Sequence, residues 1–223
     1  MPACKPAILK YPNKSASKVD TTSPSQPKGV VQKVGLAMLK KMFKTAPVDE
    51  PLITRKHGKT ADGRFDKTGA HEYRIDGGKG KAHKGVDLKG ETGDDVYAAA
   101  CGTVDYIEST DTYKSGKKGG EFGKYVQIRH ASNVYSIYAH LSEISVKKNQ
   151  KISLEDGKVK IGEIGKTGNV GGHAHLHFEI AIYDSKKHKK WKNRILIDPK
   201  DIYGFKQEPE PPKVEAKPKE PQP

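Results

Sequence analysis

Short segments in which apolar and polar residues alternate recur through the middle of the chain, separated by glycine-rich turns. An alternation with a period of two is typical of a β-strand, because successive side chains point to opposite faces. The pattern predicts strands at 96–100, 102–107, 124–130, 133–140 and 175–183. The polar stretch 109–123 is predicted to be a long hairpin loop. These features indicate an all-β domain.

The N-terminal residues have a different pattern. Residues 1–29 are rich in Pro, Ser, Lys and Thr without periodicity, which predicts a flexible arm. Residues 30–45 then place Val31, Val34, Met38 and Met42 at helical spacing, with the lysines mostly off that stripe. We predict a basic amphipathic helix that ends before Pro47. Such a helix either packs on the domain, which is the commoner case, or binds a membrane surface.

The C-terminal stretch 207–223 carries six prolines among glutamates and lysines, which predicts a disordered tail. We therefore divide the chain into an arm and helix over 1–50, one β domain over 51–206 and a tail over 207–223. A single ordinary domain with extensions agrees with the low hydrophobic fraction of 34% and the high charged fraction of 30%.

The net charge of +14 is spread along the chain and would attract polyanions such as nucleic acid, anionic lipid or an anionic cell wall. The sequence contains no zinc-finger spacing, no RNP-type aromatic motif and no long basic helix with base-reading residues, so nucleic acid is not expected as a partner. Neither a run of ~20 apolar residues nor a cleavable signal peptide is found. Work outside the cytoplasm would therefore require a route other than an ordinary signal peptide.

Cys4 and Cys101 are the only cysteines. Two residues so far apart do not make a disulfide framework. We expect Cys101 to be a buried free thiol and Cys4 to lie in the arm.

The densest chemistry of the chain lies at 173–180. On a strand, Leu176, Phe178 and Ile180 would form an apolar face, and the opposite face would carry His173, His175, His177 and Glu179. Imidazoles at i and i+2 stand ~6–7 Å apart, too far for both to bind one small ion without distortion. The spacing suits one metal ligand and one base that acts on water at the metal, and leaves open which histidine does which. A surface strand with outward polar residues is the structural alternative.

Two further motifs add candidate groups. In His83-Lys84-Gly85-Val86-Asp87, the outer two side chains would share one strand face, with a glycine between them that leaves room for an ion. In 138–142, His140 ends a strand whose other positions are mostly apolar. Each motif alone is weak. Together, His83, Asp87 and one histidine of the pair would supply three ligands and leave zinc's fourth position for water, as in catalytic zinc sites.

Three motifs together resemble the signatures of the lysostaphin-like (LytM-type) zinc metallopeptidases. They are His83-x-Gly85-x-Asp87, Tyr138-Ala139-His140-Leu141-Ser142 and His175-Leu176-His177-Phe178-Glu179. The resemblance extends to 96–104 and 161–169 and covers roughly residues 51–204, with only a loose match over 56–81. It implies a small antiparallel β domain with a substrate groove over its central sheet.

The resemblance also implies the roles of the site residues. One zinc ion per chain would be held by His83, Asp87 and His177, and His140 and His175 would be the catalytic pair. The implied activity is that of an endopeptidase cutting peptide bonds of bacterial peptidoglycan, of the DD-endopeptidase type. A non-catalytic wall-binding or regulatory module on the same fold is the alternative.

The expected setting follows from the same resemblance. We expect a monomer that acts in the periplasm or cell wall and has peptidoglycan as its partner. Because no ordinary signal peptide is found, a secreted antibacterial effector or a phage-borne lysin is a further hypothesis. An effector of this kind would have an immunity or inhibitor protein as a second partner. His173 and Cys101 stand where the family usually has other residues, and we assign them no role.

Overall fold

The computed structural model describes residues 30–55, 83–111, 113, 120–130, 134–183 and 194–209. Within these residues are twelve β-strands and two α-helices. The strands are β1 (Leu52–Arg55), β2 (Val86–Lys89), β3 (Asp95–Tyr97), β4 (Gly102–Glu108), β5 (Tyr125–Arg129), β6 (Val134–Ala139), β7 (Leu141–Ile144), β8 (Lys151–Ile152), β9 (Lys160–Ile164), β10 (His175–Tyr183), β11 (Arg194–Ile197) and β12 (Lys206–Gln207). The helices are α1 (Val30–Met42) and α2 (Pro199–Tyr203).

Nine strands form the main sheet in the order β12-β1-β2-β10-β6-β5-β4-β8, with β11 also paired to β10. All of these pairs are antiparallel except β1 with β12. The strands β3, β9 and β7 form a second, antiparallel sheet. The prediction of an all-β antiparallel domain is confirmed.

The long strand β10 lies near the centre of the main sheet and has the predicted two faces. Leu176, Phe178 and Ile180 are fully buried and belong to the hydrophobic core. Burying each such side chain is worth about 1.5–3 kcal/mol. This apolar face fixes the register of β10, because a slip by one residue would exchange its two faces.

The strand predicted at 96–100 is shorter in the structure and ends at Tyr97. Ala98, Ala99 and Ala100 are buried but irregular. The amide of Ala99 donates to the Tyr138 hydroxyl at 2.8 Å instead of to a neighbouring strand. The apolar run therefore reflected burial in the core and not strand pairing.

Helix α1 packs on the domain, as expected, and its packing face overlaps the predicted stripe only in part. Leu39 and Phe43 are buried, whereas Met38 and Met42 are half-buried. The ring of Phe43 contacts His130 edge to face, with 4.9 Å between ring centroids. Met42 of the predicted stripe packs against the core, but Leu39 and Phe43, which the stripe did not include, are the most buried residues of this contact. The side chains of Val31 and Val34 lie outside the described part of the chain.

At the other end, β12 includes Gln207, the first residue of the predicted tail, which pairs with Ile53. Residues 210–223 lie outside the described residues, as do the arm 1–29 and the weakly matching stretch 56–81. In the described part of the chain, no helix is long and apolar enough to cross a membrane.

Cys101 is half-buried and disulfide-bonded, so the expectation of a buried free thiol is wrong. Separation along the chain was a poor guide, because the entropy cost of closing a loop grows only slowly with its length. The other cysteine, Cys4, lies outside the described residues.

Candidate active site

Three side chains from distant parts of the sequence meet on one face of the main sheet. The atoms His83 Nε2, Asp87 Oδ1 and His177 Nδ1 lie 2.9 Å from one another. All three residues are buried, with exposed fractions of 5–8%. The structure thus brings together the three residues predicted as metal ligands.

Strand register explains two of these positions. Asp87 on β2 and His177 on β10 are directly opposite each other, so their side chains share a face. His83 lies before β2 begins, not on the strand as predicted, and still reaches Asp87.

Gly85 has a different role from the one predicted. A Cβ atom added there would lie only 2.2 Å from the carbonyl oxygen of Phe178. The glycine therefore allows the segment ahead of β2 to lie against the β10 backbone, which a larger residue would prevent. Its contact is with the neighbouring strand and not with the space between the ligands.

The donor set fits a zinc ion. Two imidazole nitrogens and a carboxylate oxygen converge, with no cysteine among them, as in catalytic zinc sites with three protein ligands. Tetrahedral nitrogen and oxygen ligands at ~2.0–2.2 Å from zinc stand about 3.3–3.5 Å apart. The observed 2.9 Å separations would open by a few tenths of an ångström, which small side-chain rotations supply.

The charges in this cluster are strongly coupled. Burial acts to raise the pKa of Asp87, but hydrogen bonds from His177 and His83 hold this pKa well below its usual value. Burial lowers the pKa of His83. Burial also acts against charge on His177, but the carboxylates of Asp87 and Glu179 raise the pKa of that imidazole to about 9. The site thus holds an ionised carboxylate between its imidazoles.

Glu179 is a site residue to which the sequence pattern gave no role. It is completely buried, and its Oε1 lies 3.1 Å from His177 Nε2. Since both carboxylates accept, His177 donates from Nε2 to Glu179 and from Nδ1 to Asp87. A metal ion bound at the cluster would replace the proton on Nδ1, and Glu179 would keep the one on Nε2. Glu179 follows His177 by two residues, and this spacing alone predicts that the two side chains share one face of β10.

The two predicted catalytic histidines stand beside the cluster. The rings of His140 and His175 have centroids 4.9 Å apart, and His175 Nε2 lies 3.7 Å from Asp87 Oδ1. His140 Nδ1 is 2.8 Å from the Thr167 carbonyl, and His175 Nδ1 is 3.0 Å from the His173 carbonyl. A carbonyl only accepts, so Nδ1 carries the proton and Nε2 remains for proton transfer in both rings.

His140 sits at a strained point of the backbone. Its φ of 67° lies in the left-handed region that non-glycine residues rarely adopt. There the chain leaves β6 of the main sheet and enters β7 of the second sheet. Burial, reinforced by the neighbouring imidazoles of His177 and His175, lowers the pKa of His140 to about 3.

His173 lies ahead of β10 and is exposed, so the alternation does not extend to it. Its carbonyl and not its imidazole contacts His175. The predicted shared strand face holds for His175, His177 and Glu179 only.

The cluster opens into a cleft of about 1160 Å³. Basic residues of β1 and β2, Arg55 and Lys89, line one side of it, and Phe122 and Tyr125 line another. His140 and His175 also line this cleft, and His175 Nε2 lies 3.7 Å from Asp87 Oδ1.

The domain that carries this cluster is similar to known proteins. Residues 81–191 match the model of peptidase family M23. The chain is 39% identical over 112 residues to the DD-carboxypeptidase/endopeptidase Mpg of Neisseria meningitidis, covering 50% of this chain and 21% of that protein. It is 36% identical over 100 residues to the peptidoglycan DD-endopeptidase ShyA of Vibrio cholerae, covering 45% and 20%. The chain thus spans about a fifth of the length of these relatives.

Among solved structures, a zinc-containing peptidase from Vibrio cholerae is similar, with 29% identity and a TM-score of 0.48 over 63% of this chain and 37% of that one. The match over 81–191 spans all five predicted site residues. The chain belongs to peptidase family M23, the lysostaphin-like (LytM-type) metallopeptidases.

Proposed function

We propose that this protein is a zinc-dependent endopeptidase that hydrolyses peptide bonds of bacterial peptidoglycan. The observation that carries the proposal is the convergence of His83, Asp87 and His177 in an open cleft, with His140 and His175 beside them. Two relatives that match this domain are named for DD-endopeptidase or DD-carboxypeptidase activity.

His83, Asp87 and His177 would hold the metal. A zinc ion bound there supplies Lewis-acid activation of water and of the scissile carbonyl. In His140 and His175, Nδ1 donates a hydrogen bond to a backbone carbonyl. In each ring Nε2 can therefore accept a proton when the imidazole is neutral and donate one when it is charged. We assign the base role to His175, which is more exposed than His140, and stabilisation of the developing oxyanion to His140.

The substrate is the peptide part and not the glycan. Glycoside hydrolysis needs two carboxyl groups flanking the scissile bond. Of the two carboxylates at the cluster itself, Asp87 is bound between the two imidazoles, and Glu179 is fully buried against His177. We place the activity in the periplasm or cell wall, and the disulfide at Cys101 is consistent with an oxidising compartment.

Mass spectrometry of muropeptides after digestion of purified sacculi tests the proposal. New amino termini at cross-links are expected, with loss of the cross-linked dimers. New reducing sugar ends without new amino termini would contradict it. Binding to sacculi without any cleavage would favour the alternative of a non-catalytic wall-binding module on the same fold.

An antibacterial effector role is a separate proposal about where the activity is used. It predicts that the protein lyses competitor cells when delivered to their periplasm and that a cognate immunity protein blocks this lysis. Expression with a periplasmic targeting sequence, with and without candidate neighbouring genes, measures both effects.

A further inference from the structure

Arg55 lies at the edge of the ligand cluster, the group formed by His83, Asp87 and His177. On β1 it is directly opposite Asp87 of β2, and Asp87 is directly opposite His177 of β10. Opposed residues of antiparallel strands present their side chains on one face. Arg55, Asp87 and His177 therefore form one row across three strands, and Arg55 lines the cleft.

A local irregularity produces this placement. The pairing of β1 with β2 shifts between Ile53, which lies opposite Leu88, and Arg55. Ile53 and Leu88 are buried in the core, and the extra residue Thr54 is exposed and lines the cleft. A bulge of this kind interrupts the alternation of side chains along the strand. Arg55 therefore lies on the opposite face from Ile53. Thr54 Oγ1 donates to the Asp87 carbonyl at 3.2 Å and ties the bulge to β2.

The guanidinium of Arg55 has no carboxylate within ion-pair distance among the described residues. Its neighbour in the same wall, Lys89, is paired with Glu208 at 2.9 Å. Arg55 is half-buried, so its charge is less screened than that of a surface arginine. Its charge also contributes to lowering the pKa of His83, after the larger effect of burial.

We propose that Arg55 binds a carboxylate of the substrate peptide close to the scissile bond. The inference rests on the proposed peptidoglycan endopeptidase activity and adds a determinant of its specificity. An arginine is suited to this task because its planar fork donates two parallel hydrogen bonds to a carboxylate.

The geometry limits which carboxylate this is. Arg55 is two strands from His177, a distance of about 10 Å at ~4.8 Å per strand. An extended peptide covers that distance in about three residues, at ~3.3–3.6 Å per residue. In cross-links made through diaminopimelate, the carbon whose amine is acylated also bears a carboxylate, and the terminal alanine bears another. Glycine bridges carry none near their peptide bonds, so Arg55 favours the former class of substrate.

The test compares defined cross-linked muropeptide dimers that differ in one carboxylate. One has both carboxylates free, a second has the diaminopimelate carboxylate amidated, and a third has the terminal alanine carboxylate amidated. The full-length, zinc-loaded wild type is compared with Arg55→Gln and Arg55→Lys. Arg129→Gln is the matched control, since Arg129 is an exposed arginine on β5 that does not line the cleft.

We expect Arg55→Gln to lower kcat/KM on the unmodified dimer by about 10- to 100-fold, the range for a hydrogen bond to a charged group. One of the two amidated dimers lacks the carboxylate that Arg55 binds. Wild type and Arg55→Gln should cleave that dimer equally, and this identifies the carboxylate. On the unmodified dimer, kcat/KM of Arg55→Lys should lie between the values for wild type and Arg55→Gln. The value for Arg129→Gln should match that of wild type.

Equal losses on all three dimers, or no loss on any, would overturn the assignment of Arg55. Zinc content and melting temperature of Arg55→Gln separate a binding defect from a folding defect. If the wild type cleaves none of the dimers, the endopeptidase proposal itself fails. If it cleaves all of them without regard to the carboxylates, only the role of Arg55 fails.

Discussion

The carboxylate of Glu179 lies 3.1 Å from Nε2 of His177, on the side of the ring opposite the ligand cluster. This contact fixes which nitrogen of His177 faces Asp87 and His83. Carboxylate–histidine pairs of this kind orient a metal-binding imidazole and raise its basicity. Glu179 is completely buried, so no solvent competes for this contact.

Glu179→Gln should weaken zinc affinity by about 10- to 100-fold, because the amide keeps the shape but not the charge that orients His177. Chelator competition gives the affinity directly. Glu163→Gln is the control, as its carboxylate pairs with Lys160 on the second sheet. Zinc affinity equal to that of wild type would show that Glu179 does not orient the ligand.

Asp87→Ala should abolish stoichiometric zinc binding, because it removes the only carboxylate of the predicted ligand set. Elemental analysis of the purified protein after dialysis measures this. Asp105→Ala removes a carboxylate on β4 outside the cluster and should bind one zinc per chain. Undiminished zinc in Asp87→Ala would exclude Asp87 as a ligand.

His140→Ala and His175→Ala should each keep zinc but lose about 10²–10⁴-fold in turnover, the usual contribution of a general acid or base. Hydrolysis of muropeptide dimers and zinc content are measured on the same samples. His173→Ala is the control, since its contact with His175 is made by the backbone carbonyl. Near-normal turnover in either test variant would remove that residue from the catalytic pair.

Phe43→Ala should lower the free energy of unfolding by about 3–5 kcal/mol, because it leaves a cavity where α1 meets the core. Turnover per folded molecule should not change, since neither Leu39 nor Phe43 lines the cleft. Thermal melts and hydrolysis rates, with Lys40→Ala as an exposed control, separate the two effects. Higher turnover after this change would indicate that the N-terminal helix restrains the groove.

His130 should make the domain sensitive to acid. Burial lowers its pKa to about 4, although hydrogen bonds to Cys101 and Ala100 act in the opposite direction. The unfolded chain, with a pKa of about 6.5, binds the proton more readily. Stability is therefore retained above pH 6.5 and lost as the pH falls towards 4, by at most about 3 kcal/mol.

Urea unfolding of wild type and His130→Gln between pH 7 and pH 4 tests this. His130→Gln should be less stable at pH 7, because it loses the contact with Phe43, but should show a shallower decline with acid. His173→Gln, at an exposed position, should follow wild type. Identical slopes for wild type and His130→Gln would show that another group causes the acid sensitivity.

Much of the fold followed from local pattern. The alternation along β10 placed His175, His177 and Glu179 on one face and Leu176 and Phe178 on the other, because side-chain direction in a strand depends only on parity. The same rule predicted the extents of β4, β5 and β6 to within one or two residues. The five predicted site residues come from motifs that can be read without a fold.

Other features depend on which strands become neighbours, and no local pattern encodes that. The pairing of β2 with β10 sets Asp87 opposite His177, and the bulge between β1 and β2 turns Arg55 into the cleft. The need for Gly85 appears only where β10 passes beside it. The disulfide at Cys101 was missed for the same reason. Register and side-chain packing between distant segments are cooperative properties of the folded chain, and they convert a list of histidines into an oriented site.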